Sequence, residues 1–140
     1  MQDTSTGILI RTDGTVATVT VDQVAGSALG HMQELIEASC VDVVALDDAP
    51  FGAYDAWVDD EGALIGPQNV MATVILAELA GQGIQPIFGH VLILSRQDEH
   101  VASLSSDQIE YVQSIHALAE VMPTIREAIV NAHHKTTAWA

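Results

Sequence analysis

Carboxylates dominate the side chains that could do chemistry. Asp47 and Asp48 stand as a pair behind an apolar run, and Asp59, Asp60 and Glu61 stand as a triplet before Gly62. Two carboxylates at the carboxyl end of a strand could hold a hard divalent cation or divide acid and base roles. Adjacent residues on an extended chain point to opposite faces, so the pair does not readily aim at one atom, and a solvated turn accounts for it. The triplet lacks the alternating acids and the twelfth-position Glu of a calcium loop and reads as a hairpin turn.

The histidines are scattered. His31 and Glu34 share a helix flank, which is half of a metal site at most. His90 shares a predicted strand face with Phe88, Leu92 and Leu94, and His116 lies on a helical stripe with Ile109, Val112 and Ala119. Both read as hydrogen-bonded core or interface histidines. No paired Cys/His spacing exists, so no metal site is expected. Cys40, the one cysteine, has no basic neighbour in sequence to make it a thiolate nucleophile. No phosphate loop and no nucleophile elbow are present. No local motif fills the roles of nucleophile, base and stabiliser, so a non-enzymatic protein without a cofactor is expected. Asn69 precedes an apolar run and is the N-cap that run requires. With Gly66 and His90 it also marks a candidate ligand site, because a helix N-terminus offers N–H groups to an anion.

Charge narrows the choice further. The chain has 140 residues with 19 Asp plus Glu against 4 Lys plus Arg, a net charge of −15. Twelve carboxylates lie between Arg11 and Arg96, and no Lys or Arg lies among them. Unpaired burial would cost several kcal/mol per ion, on the order of the usual desolvation penalty, so nearly all are expected at the surface. A basic nucleic-acid footprint is excluded. Anionic lipid is repelled, and no segment is long and apolar enough to span a bilayer. The first residues lack the basic and apolar regions of a signal peptide, which predicts a cytoplasmic protein. A 49% hydrophobic chain is too apolar to stay disordered.

The elements that must position these groups follow from periodicity. Residues 7–12 and 15–22 read as strands around Asp13-Gly14, a hairpin signal, with Thr18, Thr20 and Asp22 on a wet face. Residues 27–38 read as a helix. Residues 41–46 are an apolar run without strict alternation, which predicts a central strand covered on both faces. Residues 51–58 read as a strand that turns at 59–62 and returns through Leu64 and Ile65. A helix spans residues 70–80, closed by Gly81 and Gly83. A strand follows over 87–95. Ser105 and Gln108 have capping-box spacing and open a helix that Pro123 ends, and a shorter helix runs from Thr124 to about His133. This order predicts one α+β domain over 1–140, with a mixed, mostly antiparallel sheet, two packed helices and a C-terminal helical extension over 105–134. The stripe Tyr111, Ile115, Leu118 and Met122 widens the apolar face of the late helix and predicts a homo-oligomer.

Three short motifs keep a recognisable order. These are Trp57-Val58-Asp59-Asp60-Glu61-Gly62, then Gly66-Pro67-Gln68-Asn69 with Ala72-Thr73, then Ile87-Phe88-Gly89-His90-Val91-Leu92-Ile93. Together they resemble the family called domain of unknown function 3846 over residues 5–112. The resemblance departs at Ala25-Gly26-Ser27, where a Gly-Gly pair is usual. It implies a small accessory protein of actinobacterial phages, plasmids or their hosts, and it carries over no catalytic residue.

Two functional expectations result. In the first, Asp47, Asp48, Asp55, Asp59, Asp60 and Glu61 present an acidic face to a basic protein partner, as a nucleic-acid mimic or an inhibitor of a host system. In the second, the chain binds or sequesters a small nucleotide-like ligand at a homo-oligomer interface. Neither involves direct contact with nucleic acid or a membrane.

Overall fold

Alternation of apolar and polar side chains builds the first hairpin. β1 (Thr4–Ile10) and β2 (Val16–Asp22) pair antiparallel from Thr4↔Asp22 to Ile10↔Val16. The computed structural model describes residues 4–22, 28–61, 67–98 and 100–139. At the hairpin tip Asp13 Oδ1 accepts from the Thr15 N–H at 2.9 Å and from its hydroxyl at 2.7 Å, and Gly14 takes φ 90°. Thr18, Thr20 and Asp22 are exposed, as the alternation requires.

The remaining elements are α1 (Ala28–Ile36), β3 (Val41–Leu46), β4 (Tyr54–Asp59), α2 (Val70–Ala80), β5 (Val91–Gln97), β6 (His100–Ala102), α3 (Ser106–Glu120) and α4 (Pro123–Trp139). The six strands form one sheet in the order β2-β1-β5-β4-β3, with β6 also paired to β5. Every pairing between these strands is antiparallel. The α+β class with a mostly antiparallel sheet is therefore correct. The short β6 escaped the sequence reading because three residues carry no usable periodicity. The predicted return strand at Leu64 and Ile65 lies outside the described residues.

Side-chain alternation splits the core into two layers. Ile8, Ile10, Tyr54, Ala56, Val91 and Ile93 face α2 and α3, where Met71, Ile75, Leu76, Leu79, Val112 and Ile115 close over them. Leu9, Leu92 and Leu94 face the other way and meet Met32 and Ile36 of α1. The C-terminal helices are thus part of the core: Val112 and Ala119 are buried, and Ile125 and Ile129 pack against the same cluster. α4 also runs past the predicted end at His133.

β1 and β6 share one side of β5. β1 pairs with β5 only over Ile8–Ile10, and β6 takes over from Ser95. Gly7 stands where the strands part. A Cβ there would lie 2.7 Å from the Ile93 carbonyl oxygen, so only glycine allows this approach.

Two sequence expectations need correction. Val41–Leu46 is the edge strand of the sheet, exposed at Asp42, Val43 and Ala45. An apolar run without alternation does not by itself report two-sided burial. Its outward Val43 N–H is taken by the Asp42 carboxylate at 2.8 Å, a device that blunts an open edge. Second, residues 87–90 are not part of β5. Gly89 has φ 82°, and this segment turns aside to bridge Gln68 with Phe88.

That bridge seats Asn69, which has no exposed surface. Its Oδ1 accepts from the Ala72 N–H at 3.0 Å, capping α2. Its amide group donates to the Ile10 carbonyl at 3.0 Å and to the Gly89 carbonyl at 2.8 Å. Thr73 Oγ1 donates to the Asn69 carbonyl at 2.9 Å and accepts from the Ile87 N–H at 3.0 Å. At its other end α2 closes on Gly81 in the left-handed conformation, as predicted. Asn69→Ala removes the cap and strands two carbonyls, so urea denaturation will show a loss of about 3–5 kcal/mol. Asn69→Asp keeps the cap acceptor but faces two carbonyls without a donor, so its loss will be of similar size.

Candidate functional site

The six acidic candidates do not form one patch. β4 separates Asp55 from Asp59 by four residues, about 13 Å at strand rise. They fall at opposite ends of the β3–β4 half of the sheet.

At one end Arg96 of β5 gathers two of them. Its guanidinium bonds the Asp47 carboxylate, and its Nε lies 3.3 Å from Asp55 Oδ1. Asp47 is largely exposed, whereas Asp55 is buried at 7% exposure and does not present a surface charge. Asp55 is thus the exception to surface placement. Burial pushes its carboxyl above the usual carboxylate value. Arg96 opposes that shift and the charge of Asp47 adds to it. Arg96 was not singled out from sequence, although it is the first cation after Arg11 and the natural partner for a buried acid.

The loop at residues 47–53 is pinned from three elements. The Tyr54 hydroxyl donates to the Pro50 carbonyl at 2.8 Å, the Ser95 hydroxyl donates to the Ala53 carbonyl at 3.2 Å, and Gln108 Nε2 donates to the same oxygen at 3.2 Å. Gln108 also completes the predicted capping box with Ser105. Burial pushes the Tyr54 phenol up to about 12, with Tyr111 adding to the shift, so this anchor keeps its proton across the ordinary pH range. The loop exposes Asp48 and Phe51.

At the other end stand Asp59, Asp60 and Glu61. Asp59 Oδ1 accepts from the Glu61 N–H at 2.9 Å, and the Asp60 N–H donates to the Cys40 carbonyl at 3.0 Å. Asp60 and Glu61 are exposed. Beside them a cleft of about 220 Å³ is lined by Thr12, Ile36, Glu37, Asp59, Pro67, Gly89 and His90. A backbone N–H can only donate, so His90 Nδ1 accepts from Thr12 at 3.2 Å and the ring proton sits on Nε2. Nε2 lies 3.1 Å from Glu37 Oε2. Both ring nitrogens are therefore engaged, and His90 has no free lone pair to serve as a base. Asn69 is not among the lining residues and reaches the cleft only through its bond to the Gly89 carbonyl, with its other donor on Ile10. Gly66, the third ligand-site candidate, lies outside the described residues.

A second cleft was missed by sequence reasoning. It measures about 380 Å³ and lies between the β1–β2 tip and the C-terminal helices, lined by Asp13, Gly14, Met71, His116, Glu120, Arg126, Ile129 and Val130 among others. His116 Nε2 donates to the Gly14 carbonyl at 3.2 Å and lies 3.3 Å from Glu120. The i,i+4 spacing of His116 and Glu120 was readable, but their meeting with Gly14 was not. A third cleft, about 360 Å³, is lined by Asp22, Gly30, His31 and Glu34, where His31 Nδ1 accepts from the Asp22 N–H at 2.8 Å. Among the described residues, no three His, Cys, Asp or Glu side chains are grouped to hold a metal ion. Among them too, no helix is long and apolar enough to cross a membrane.

The raised carboxyl of Asp55 has a stability consequence. A folded-state value above the unfolded one favours folding while the group is protonated. That contribution is complete below about 3.8 and is lost as pH rises through the raised value. Asp55→Asn imitates the protonated form. Paired urea midpoints should match wild type at the acid end, and the variant should become the more stable of the two as pH rises through the carboxylate range.

No curated protein and no solved structure matches the chain. A family model, described as domain of unknown function (DUF3846), matches residues 5–117 and so reaches into α3, beyond the predicted limit at 112. That match spans most of the chain, which belongs to the DUF3846 family.

Proposed function

We propose that the protein is a non-enzymatic accessory protein that binds a basic protein surface through the β3–β4 side of its sheet. One observation carries the reading. Asp47, Asp48, Asp60 and Glu61 are exposed around this edge, and the cation that reaches it, Arg96, is engaged by Asp47 and Asp55. With Asp47 held by Arg96, the exposed charge of Asp48, Asp60 and Glu61 favours a cationic partner. The engaged state of both His90 nitrogens supports binding over catalysis. The family resemblance supports work for a mobile element, as an inhibitor of a host system or a nucleic-acid mimic. The exposed lone Cys40 suits a reducing cytoplasm. Affinity capture at graded salt tests the proposal. A basic protein should bind at about 50 mM NaCl and release by about 500 mM, as screening shortens the reach of surface charge. Asp48→Asn/Asp60→Asn/Glu61→Gln should lose it while keeping wild-type circular dichroism. Salt-independent retention, or retention by the triple variant, refutes the reading.

A second reading, a small-ligand module at a homo-oligomer interface, is favoured by the cleft of about 380 Å³. Val130 lines it and is 65% exposed, and Leu118, Val121 and Met122 expose further apolar surface on or just after α3. A second copy seated there would cover these side chains and close the cleft. Native mass spectrometry of protein taken from its producing cells should then show a dimer with added ligand mass, and Val130→Asp should return it to a ligand-free monomer. A wild-type monomer at its bare mass excludes this reading.

A further inference from the structure

An unusual backbone conformation lies in the loop at residues 47–53. Phe51 has φ 72°, a left-handed conformation that bulky residues rarely adopt. Such strain persists only where the surroundings impose it. Here they do, because Pro50 is held by Tyr54 and Ala53 is held by Ser95 and Gln108. The outcome does not serve the core. The ring remains 59% exposed, resting against Tyr111 of α3 with centroids 5.5 Å apart and planes tilted by 59°. An exposed ring, backed by the half-buried Tyr111, is thus presented by a braced loop at the expense of backbone comfort.

Arg96 is taken up by Asp47 and Asp55, and the exposed charges that remain on the loop and at the start of α3 are acidic. Asp48 is exposed on the same loop, and Asp107, one helical turn before Tyr111, is exposed on α3. Neither the loop nor α3 contains a Lys or Arg. Aromatic faces and carboxylates both attract cations, the ring through its quadrupole and the acid through its charge. Arginine is the cation best matched to both, because its planar guanidinium stacks on a ring and bonds a carboxylate together.

We propose that the Phe51–Tyr111 pair, flanked by Asp48 and Asp107, receives an arginine side chain of a basic protein partner and is the anchor of the acidic edge. This rests on the partner-binding reading above and adds the contact that would give it specificity. Aromatic and arginine contacts of this kind concentrate binding energy that distributed surface charge does not supply.

Nona-arginine and nona-lysine peptides, titrated into the full chain at about 150 mM NaCl, provide the test. Wild type should prefer nona-arginine. Phe51→Gly leaves the net charge unchanged and suits a positive φ, so its melting temperature should equal or exceed that of wild type while its affinity for nona-arginine falls about three- to tenfold. Phe51→Leu keeps apolar bulk without a π face and should show the same loss of arginine preference. If both variants bind nona-arginine as wild type does, the anchor is wrong while the acidic-edge reading stands. If wild type shows no salt-sensitive binding to either peptide, both readings fall.

Discussion

The carboxamide of Asn69 joins three parts of the molecule that lie far apart in the chain. Its oxygen begins α2, and its nitrogen fastens the end of β1 and the Gly89 turn. The Ala72 N–H and the Ile10 carbonyl are buried, and a buried polar group without a partner costs about 1–3 kcal/mol. An amide is the small side chain that both accepts and donates, so one residue satisfies all three. The register of β1 against β5 and the seating of α2 on the sheet follow from that point. So does the position of His90, the residue after Gly89, over the cleft beside Glu37.

The two ends of β4 show how one strand can hold the same chemical group in opposite states. Asp55 is drawn under Arg96 and becomes part of the packing. Asp60 and Glu61, just beyond the strand's far end, remain in water. A buried carboxylate with a single cation is at best a near balance of desolvation against attraction, and its raised pKa indicates that desolvation prevails. The network therefore contributes geometry more than stability. It keeps the 47–53 loop beside β5, and with Tyr54, Ser95 and Gln108 it makes a rigid platform of a loop that bears an exposed ring.

The strain at Phe51 and the charge around it have a common logic. A chain with 19 acids and 4 bases repels itself wherever acids crowd, and it lowers that cost by spreading them. Here exposed acids stand at both ends of the β3–β4 side, and one of them, Asp48, shares its loop with a backbone conformation that glycine would adopt more easily. Neither feature helps folding. Both become intelligible if that side meets a surface of opposite charge.

The local pattern was enough for α2, the Asp13-Gly14 hairpin, the Ser105–Gln108 capping box and the α+β class, because periods, caps and turn residues act over a few positions. The family was legible in three short motifs for the same reason. The Asn69 cap could be read, but its bonds to Ile10 and Gly89 could not, since those partners are set by how β1 and β5 pack. An edge strand and a central strand can carry the same apolar run, so the exposure of Val41–Leu46 depended on sheet order. Composition separated acids from bases, but only the fold chose Asp55 to be buried with Arg96, brought Glu37 to His90, and left Phe51 facing water. Those are contacts between residues far apart in the chain, and they are decided by packing, which no window of sequence contains.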